Sequence, residues 1–341
     1  MRQETDDAVS IAFQVPQHLR ATFQYEPGQY LTLRTMVAGH EVRRAYSISS
    51  GLDDGEWRVA VKRVEGGLFS AFANETLSVG DIIDVMPPQG RFTLPEPSGP
   101  RTIVAFAAGS GITPIAAHIR TILNREADAH VFLFFGNQTA RSILFRGAID
   151  DLKDSFMDRL SVHNVLSRES QDIDTLNGRI DAQKVASFMR HVVPFGQVDH
   201  ILMCGPGAFI EEVRGALQGL GVGDDKILAE HFGTGTGASA SAEETASPAS
   251  AVAAVTLDGV TTEISLMTGE TVLDAALRVG LDAPYSCRSG MCSTCRAKIS
   301  QGKIEMVNNF SLRDEEIAAG FVLTCQAKPL TAHVEIDYDV A

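Results

Sequence analysis

The sequence has no long apolar run and no export signal, which limits where the protein can act. The 341-residue chain contains no uninterrupted apolar stretch of about 18 residues, so it predicts no transmembrane helix. Its first ten residues, MRQETDDAVS, lack a basic segment followed by an apolar run, so we predict no signal peptide. The chain is therefore expected in the cytoplasm, where clustered cysteines are more often metal ligands than disulfides.

Positive charge is also scarce. The sequence has 29 Lys and Arg against 43 Asp and Glu, a formal net charge of −14. This balance argues against a nucleic-acid or anionic-membrane surface, because both need patches of Lys and Arg. Hydrophobic residues make up 44% of the chain, enough to build cores, and at about 150 residues per domain the length predicts two or three domains.

Two hydrophobic patterns divide the first two thirds of the chain. Residues 1–98 contain short alternating runs (AVSIAFQV, QYLTLRTM, WRVAVKRV, DIIDVM) punctuated by Gly, Pro and Asp, a pattern typical of an antiparallel β-barrel or sandwich. In residues 99–232, strand-like apolar runs (TIVAFAAG, HVFLFFGN, SVHNVLS, HILMCGP, KILAEHF) alternate with helix-length amphipathic segments. That alternation predicts an α/β domain with a parallel sheet.

Residues 233–252 have the composition of a linker. The stretch GTGTGASASAEETASPAS is small, polar and aperiodic, so we interpret it as flexible. Within it, Gly233, Gly235 and Ala238 match a dinucleotide-binding pattern. No apolar helical face follows them, so we expect no nucleotide site there.

The last segment, residues 253–341, predicts a small α+β domain. VTLDGVTTEISL is typical of a hairpin that turns at Asp258 and Gly259. Thr271 and Ser311 each begin a helix-start pattern, with an Asp three residues later. The stretches AKISQGKIEM and AHVEIDY supply further strands.

Four of the five cysteines lie in this domain, and their spacing indicates a metal centre. Cys287, Cys292 and Cys295 follow C-x4-C-x2-C and Cys325 lies farther along, the spacing of plant-type [2Fe–2S] ferredoxins. A tight Gly/Ser-rich loop can wrap three thiolates around two irons with its N–H groups facing the sulfides, and we expect the fourth ligand from a neighbouring strand. Structural zinc is the alternative, but Cys325 lacks the nearby partner of a paired zinc knuckle. Disulfide pairing is the minority interpretation.

The barrel segment contains RAYSIS, whose polar residues suit a flavin nucleotide. Arg44 can form charge-assisted hydrogen bonds to a pyrophosphate, Tyr46 can lie against a flavin ring, and Ser47 can hydrogen-bond a ring nitrogen. Plain packing is the alternative for a Tyr on a strand.

A second barrel stretch, EGGLFS, suits a phosphate. Gly66 and Gly67 let the backbone approach closely, and Ser70 lies at the start of a helix whose N–H groups favour an anion.

The α/β segment carries AAGSGITP directly after a strand and before a helix. It fails the Rossmann fingerprint, because Pro114 stands where the third Gly belongs. Pro suits the first turn of a helix, which leaves the amides of Gly109 to Thr113 free for a phosphate. A tight strand-to-helix turn without a ligand is the alternative.

Three further stretches in this segment are LSRE, CGPGAF and EHF. In their order along the chain, all these motifs resemble those of the ferredoxin–NADP reductase superfamily, followed by a plant-type ferredoxin domain of β-grasp fold. Over nearly the whole chain the sequence resembles reductase components of the phenylacetyl-CoA epoxidase type, in stretches such as EPGQYLTLRTMVAGHEVRRAYSIS, LNGRIDAQK and SLRDEEIAAGFVLTCQAKPLT.

The resemblance implies a role for each motif. The G-G-x-x-S element favours FAD over FMN, and Ser47, Cys204 and Phe232 are the implied catalytic residues at the flavin and nicotinamide. Ser167 and Arg168, with Arg141, are the implied binding residues for the 2′-phosphate of NADPH, which we favour over NADH. The implied residues that bind FAD or NAD(P)H are Arg44, Tyr46, Ser47, Val61, Lys62, Gly66, Gly67, Phe69, Ser70, Gly109, Ser110, Gly111, Thr113, Arg141, Ser167, Arg168, Cys204, Gly205, Pro206, Glu230 and Phe232.

The implied function is electron transfer from NAD(P)H through FAD and a [2Fe–2S] cluster to the oxygenase component of a multicomponent oxygenase. A partner of the Rieske or ketosteroid hydroxylase type is one alternative. Others are a standalone diaphorase whose tail holds structural zinc, and a redox-sensing electron carrier.

Overall fold

The computed structural model describes residues 1–233 and 249–340, which belong to two compact units, Met1–Phe232 and Gly233–Ala341. Most of the predicted linker, including Gly235 and Ala238 of the dinucleotide-like pattern, lies outside the described residues. Within the described residues, none of the helices combines the length and the apolar character that crossing a bilayer needs.

The first part of unit Met1–Phe232 is an antiparallel barrel built from two three-stranded sheets. The strands are β1 (Arg2–Thr5), β2 (Ala8–Phe13), β3 (Tyr30–Val37), β4 (His40–Ser47), β5 (Trp57–Lys62) and β6 (Asp84–Val85). The sheet orders are β1-β2-β5 and β4-β3-β6, and a bridge between Ile48 and Val59 links them. Alternate side chains of a strand point inward, so Leu31 and Leu33 of β3 both belong to the barrel core. Helix α1 (Leu68–Glu75) packs on this core through Phe69.

The second part of this unit is a parallel five-stranded sheet with helices. In chain order the elements are β7 (Thr102–Ala108), α2 (Ile112–Arg125), β8 (His130–Asn137), α3 (Arg146–Ser155), β9 (Leu160–Leu166), α4 (Ala182–His191), β10 (Val198–Gly205), α5 (Gly207–Gly219) and β11 (Ile227–His231). The central strand β7 buries Ile103 and Ala105 in one core and Val104 and Phe106 in another. A strand buried on both faces needs helices on both sides, which is the predicted α/β layering.

The strand order of this sheet indicates where a ligand-binding crevice lies. The sheet runs β11-β10-β7-β8-β9, so the direction of winding reverses between β7 and β10. In open α/β sheets, ligands bind at the carboxyl ends of the strands that flank such a reversal. The stretches AAGSGITP and CGPGAF follow β7 and β10, so the topology brings these two predicted motifs together.

The second unit contains a mixed five-stranded sheet. Its elements are β12 (Ala249–Leu257), β13 (Val260–Met267), α6 (Val272–Arg278), β14 (Arg296–Gln301), β15 (Ile304–Met306), α7 (Asp314–Ala318), β16 (Phe321–Leu323), β17 (Ala327–Pro329) and β18 (His333–Asp337). The sheet order is β13-β12-β18-β14-β16, with β12 and β18 parallel, and β15 pairs with β17. The predicted hairpin at Asp258 and Gly259 and the helix start at Thr271 are confirmed. Strand β12 begins at Ala249, ahead of the predicted domain start at residue 253.

Two local predictions in this unit were wrong. Ser311 does not begin a helix, because α7 starts at Asp314 and the Ser311 hydroxyl donates to the carbonyl oxygen of Gly290 at 3.2 Å. Cys325 does not lie on a strand either. It occupies the turn between β16 and β17, whose three-residue strands are too short to show a pattern in the sequence.

Candidate active site and metal centre

Three predicted site residues meet where the barrel joins the α/β sheet. Ser47, the last residue of β4, donates its hydroxyl to Glu230 Oε2 at 3.0 Å. Cys204 Sγ donates to the same oxygen at 3.9 Å. Cys204 and Glu230 are register partners on the adjacent parallel strands β10 and β11, so the sheet sets their spacing. This Ser47–Glu230–Cys204 group connects the two halves of the unit through side chains that are far apart in sequence.

Burial changes the ionisation of this group. It raises the pKa of Glu230 to about 7, although the hydrogen bonds from Ser47 and Cys204 act in the opposite direction. Burial also raises the pKa of the Cys204 thiol, and the neighbouring carboxylate adds to the effect. Glu230 therefore changes charge near neutral pH while Cys204 remains a thiol.

Glu230 should make the stability of the protein depend on pH. A carboxyl group whose pKa is raised from 4.5 to about 7 on folding stabilises the folded state fully at pH values below 4.5. This contribution is lost as the pH rises through 7. The loss amounts to at most roughly 3 kcal/mol. We expect the Tm of Glu230→Gln, relative to the native protein, to rise between pH 5.5 and pH 8 in calorimetry of the FAD-loaded chain. Glu26→Gln, at an exposed position, is the control, and a Tm difference that is flat across this range would contradict the assigned pKa.

The RAYSIS residues line β4 beside helix α1. Tyr46 packs on Phe69 of α1 with ring centroids 5.3 Å apart, which brings this stretch against the EGGLFS stretch. Arg44 is exposed and donates to the carbonyl oxygen of Arg43 at 2.7 Å. Val61 is fully buried in the barrel core, which leaves only its backbone for a ligand.

The glycine loop before α1 has the form of an anion cradle. Gly66 has a φ of +71°, and Gly67 caps α1 without a side chain. Ser70 holds the loop in place, since its hydroxyl accepts from the Val64 amide at 3.1 Å and donates to the Gly67 carbonyl at 3.1 Å. A cavity of about 810 Å³ opens beside the loop, and the amides at the start of α1 suit the phosphate of a nucleotide.

Lys62, which was also predicted to bind the cofactor, lies near the same cavity. Its Nζ is 3.4 Å from Asp7 Oδ2, and Asp7 itself lines the cavity. The lysine charge is therefore shared with this carboxylate.

The loop after β7 approaches the end of β10 very closely. Gly109 has a φ of +55°, and residues Gly109–Gly111 form a 3₁₀ turn that leads into α2. A Cβ atom on Gly111 would lie 2.1 Å from the carbonyl oxygen of Cys204. Thr113 is 2% exposed and donates its hydroxyl to the Ser110 carbonyl at 3.0 Å, so it supports the loop from within.

The helix after β10 provides a second free N-terminus at this crevice. Pro206 precedes α5 and its side chain makes no cap. Gly205 is buried, and its carbonyl oxygen accepts from the Phe232 amide at 2.8 Å. Phe232 is half-buried against the core, beside the end of β11.

The residues predicted to recognise the nucleotide phosphate lie on two neighbouring loops. Ser167, Arg168 and Arg141 are all exposed. The Arg168 amide donates to the Gln138 carbonyl at 2.8 Å, and Glu169 Oε2 accepts from the Ala140 amide at 2.7 Å. These bonds join the loop after β8 to the loop after β9, which puts Arg141 and Arg168 at the same edge of the sheet.

The four predicted metal ligands converge in the second unit as two pairs of thiols. Cys287 is in hydrogen-bond contact with Cys292, and Cys295 with Cys325. In each pair the contact lowers the pKa of one thiol, Cys287 or Cys325, which favours the thiolate that metals bind. Within the described residues, no three His, Cys, Asp or Glu side chains surround a point where a single ion could be held. Two pairs of thiols fit a two-iron cluster.

The backbone of the cysteine loop is shaped around these sulfurs. Arg288 and Ser293 have φ values of +54° and +55°, a conformation that non-glycine residues rarely adopt and that recurs at functional sites. The amides of Ser289 and Met291 each donate to Cys287 Sγ at 3.4 Å. Such N–H···S contacts offset negative charge on a thiolate cluster, so the loop fits a [2Fe–2S] centre.

The polar residues that surround this loop were not predicted to be part of the site. Asn308, Ser311 and Gln326 all contact the loop or the predicted ligand Cys325. No spacing rule points to Asn308 or Ser311. For Gln326, the only available signal was its position next to Cys325.

Models of three protein families match the chain. The "Oxidoreductase FAD-binding domain" family matches residues 2–94, the "Oxidoreductase NAD-binding domain" family matches 106–215, and the "2Fe-2S iron-sulfur cluster binding domain" family matches 255–330. The predicted fold class and the three cofactor classes are thereby confirmed.

Two related proteins and one solved structure align with this chain over nearly its full length. A subunit of 1,2-phenylacetyl-CoA epoxidase from Escherichia coli (strain K12) is 43% identical over 99% of this chain and 96% of that protein. The ferredoxin reductase component of 3-ketosteroid-9-alpha-monooxygenase from Rhodococcus rhodochrous is 33% identical over 98% of this chain and 94% of that protein. The solved structure of phthalate dioxygenase reductase shares the fold, with a TM-score of 0.59 at 22% identity, covering 98% of this chain and 94% of that chain. The chain and the Escherichia coli epoxidase subunit therefore belong to the same family, the FAD- and [2Fe–2S]-containing oxidoreductases that serve as reductase components of oxygenases.

Proposed function

We propose that this chain takes electrons from NAD(P)H and delivers them to the oxygenase component of a phenylacetyl-CoA epoxidase-like system. The observation that carries the proposal is the Ser47–Glu230–Cys204 group, which brings the barrel against the switch point of the sheet. The 43% identity to an epoxidase protein supports the choice of partner. NAD(P)H is a cytoplasmic metabolite, so we place the protein in the cytoplasm.

The residues have distinct roles in this proposal. Arg44 and the Gly66–Gly67 loop hold the FAD pyrophosphate, and Tyr46 lies against the flavin. Ser47 hydrogen-bonds the flavin, and Cys204 orients the nicotinamide beside it. Phe232 covers the flavin face where the nicotinamide arrives. The amides of the Gly109–Gly111 turn hold the phosphates of NAD(P)H.

The cofactors supply the electron chemistry, and the protein positions them. Bound FAD would supply the conversion of a hydride's electron pair into the single electrons that a [2Fe–2S] cluster takes. Cys287, Cys292, Cys295 and Cys325 would hold the cluster, and two of them, Cys295 and Cys325, are part of the hydrophobic core of the second unit. We further propose domain boundaries near residue 98 and within residues 233–252.

Reconstitution with alternative oxygenases tests the partner. The purified protein should contain FAD, iron and sulfide, and NADPH should bleach the flavin anaerobically. Adding the oxygenase components of a phenylacetyl-CoA epoxidase should then give product, whereas a Rieske or ketosteroid oxygenase should give at least tenfold less, a difference of about 1.4 kcal/mol. Faster turnover with a Rieske or ketosteroid oxygenase would overturn the proposed partner, and material without flavin would overturn the reductase assignment.

We propose that Arg168 and Arg141 select NADPH. Both are exposed, and within residues 1–233 and 249–340 neither has an ion-pair partner, so each guanidinium is available to a phosphate. Arg168→Gln should lower kcat/KM for NADPH by about 10-fold to 100-fold, the effect of losing a charged hydrogen bond, and leave that for NADH nearly unchanged. Steady-state kinetics with both nucleotides measure this, with Arg190→Gln on α4 as the control. Equal losses with NADH and NADPH would contradict this role.

A further inference from the structure

Gln326 occupies the centre of the polar shell around the cysteine loop. It follows Cys325 in the turn between β16 and β17 and is 8% exposed. Its backbone carbonyl accepts from the Val307 amide at 3.0 Å, which fixes the turn against the end of β15. A glutamine side chain buried at this point must find partners for its amide, and its Nε2 finds them in the cysteine loop and at Cys325.

The orientation of the Gln326 carboxamide follows from its partners. Nε2 donates to the carbonyl oxygens of Arg288 and Cys325, both at 3.0 Å, and lies 3.7 Å from Cys325 Sγ. Carbonyl oxygens only accept hydrogen bonds, so the NH₂ group must face them. Its two hydrogens serve three acceptors, so one hydrogen is shared and the contact to Cys325 Sγ is part of a three-centre hydrogen bond. Oε1 accepts from Asn308 Nδ2 at 3.2 Å, which is consistent with the same orientation.

The Gln326 carboxamide therefore ties together three separate segments. It links the cysteine loop at Arg288, the ligand Cys325 and the segment after β15 at Asn308. Gly290 packs into this junction, since a Cβ atom there would lie 2.8 Å from the Asn308 carbonyl oxygen and 3.3 Å from Gln326 Cγ. The loop can approach this closely only with a glycine at position 290.

We infer that Gln326 is a positioning residue of the cluster site, which donates an N–H to the Cys325 sulfur and thereby raises the reduction potential of the cluster. Reduction adds negative charge to the cluster and its thiolates, and a hydrogen bond to a ligand sulfur stabilises that charge. The inference rests on the proposed ligation by the four cysteines. Gln326 is thus a side-chain donor to a cysteine sulfur, in addition to the backbone amides that donate to Cys287 Sγ.

Redox titration of the full-length FAD- and cluster-loaded protein tests the inference. Gln326→Leu keeps the size of the side chain and removes the donor. It should shift the electron equilibrium between flavin and cluster toward the flavin by up to about tenfold, which equals about 59 mV for one electron. Gln301→Leu, at an exposed position in the same unit, should leave the potential unchanged.

The potential separates this role from simple support of the loop. A purely structural residue would change how much cluster is retained but would not change the potential of the retained fraction. If Gln326→Leu cannot be loaded, pulsed EPR of the reduced native protein with ¹⁵N in the glutamine amides gives an independent answer, because a nitrogen coupling is expected from Gln326. An unchanged potential in a loaded Gln326→Leu, or no side-chain coupling in the native protein, would overturn the inference. A native protein without iron would instead contradict the ligand set on which it rests.

Discussion

Gly111→Ala should abolish most of the reaction with NAD(P)H. A Cβ atom at this position would lie 2.1 Å from the Cys204 carbonyl oxygen and 2.5 Å from its carbon, whereas ordinary contacts begin near 3.4 Å. The φ of Gly111 is −61°, which any residue adopts, so the glycine is required by this close approach alone. Either the loop after β7 or the end of β10 must move by an ångström or more. A displacement of about 1 Å at reacting groups can reduce a rate by about 100-fold, and here both stretches that we propose to bind the nucleotide are affected.

Stopped-flow measurement of flavin reduction by NADPH checks this expectation, and Gly147→Ala on α3 is the control. Gly147 is exposed and helical, and a Cβ there would meet no atom within 4 Å, so alanine should leave the rate near the native value. We expect Gly111→Ala to retain FAD, because the barrel is not part of the contact, and to lose at least 100-fold in reduction rate. A rate within threefold of the native value would show that the approach of β7 and β10 does not control the nucleotide site.

The sheet that creates this contact was predictable, whereas the contact was not. The parallel sheet is apparent in the sequence because β7 and its neighbours are continuous apolar runs separated by helix-length segments. The reversal of strand order between β7 and β10 depends on how the chain winds, which no local pattern records. The proximity of Gly111 to Cys204 follows from that reversal, as does the meeting of Ser47 with Glu230.

The metal centre shows the same division between local and tertiary information. The thiol spacing was informative because the three loop cysteines are local, and a loop of that length determines most of the ligand geometry. The donors around it come from segments that converge only in the folded sheet. Ser311 was predicted to begin a helix, yet its hydroxyl instead bonds Gly290, since tertiary contacts outweigh a local capping preference of about 1 kcal/mol.

Cys292→Ala should block electron transfer beyond the flavin while leaving reduction of the flavin by NADPH intact. Cys292 Sγ accepts from the Cys287 amide at 3.4 Å, so its removal takes away one proposed ligand and one hydrogen-bond partner of the loop. Even outer-shell changes at metal sites cost about 10-fold to 100-fold, so loss of a ligand should exceed 100-fold in cytochrome c reduction driven by NADPH. Flavin reduction by NADPH should stay near the native rate, because every residue assigned to FAD or the nucleotide lies within Met1–Phe232.

Iron and sulfide analysis measures the cluster content, and stopped-flow absorbance measures flavin reduction by NADPH. Cys204→Ser is the matched control for composition, since Cys204 is the one cysteine of the chain outside the second unit and its replacement should leave the iron content unchanged. Alanine is chosen at position 292 because a serine oxygen could still bind iron. If Cys292→Ala kept its iron, the ligand set would be wrong. If it lost both iron and flavin reduction, electron entry would depend on the second unit, and the division of roles between Met1–Phe232 and Gly233–Ala341 would fail.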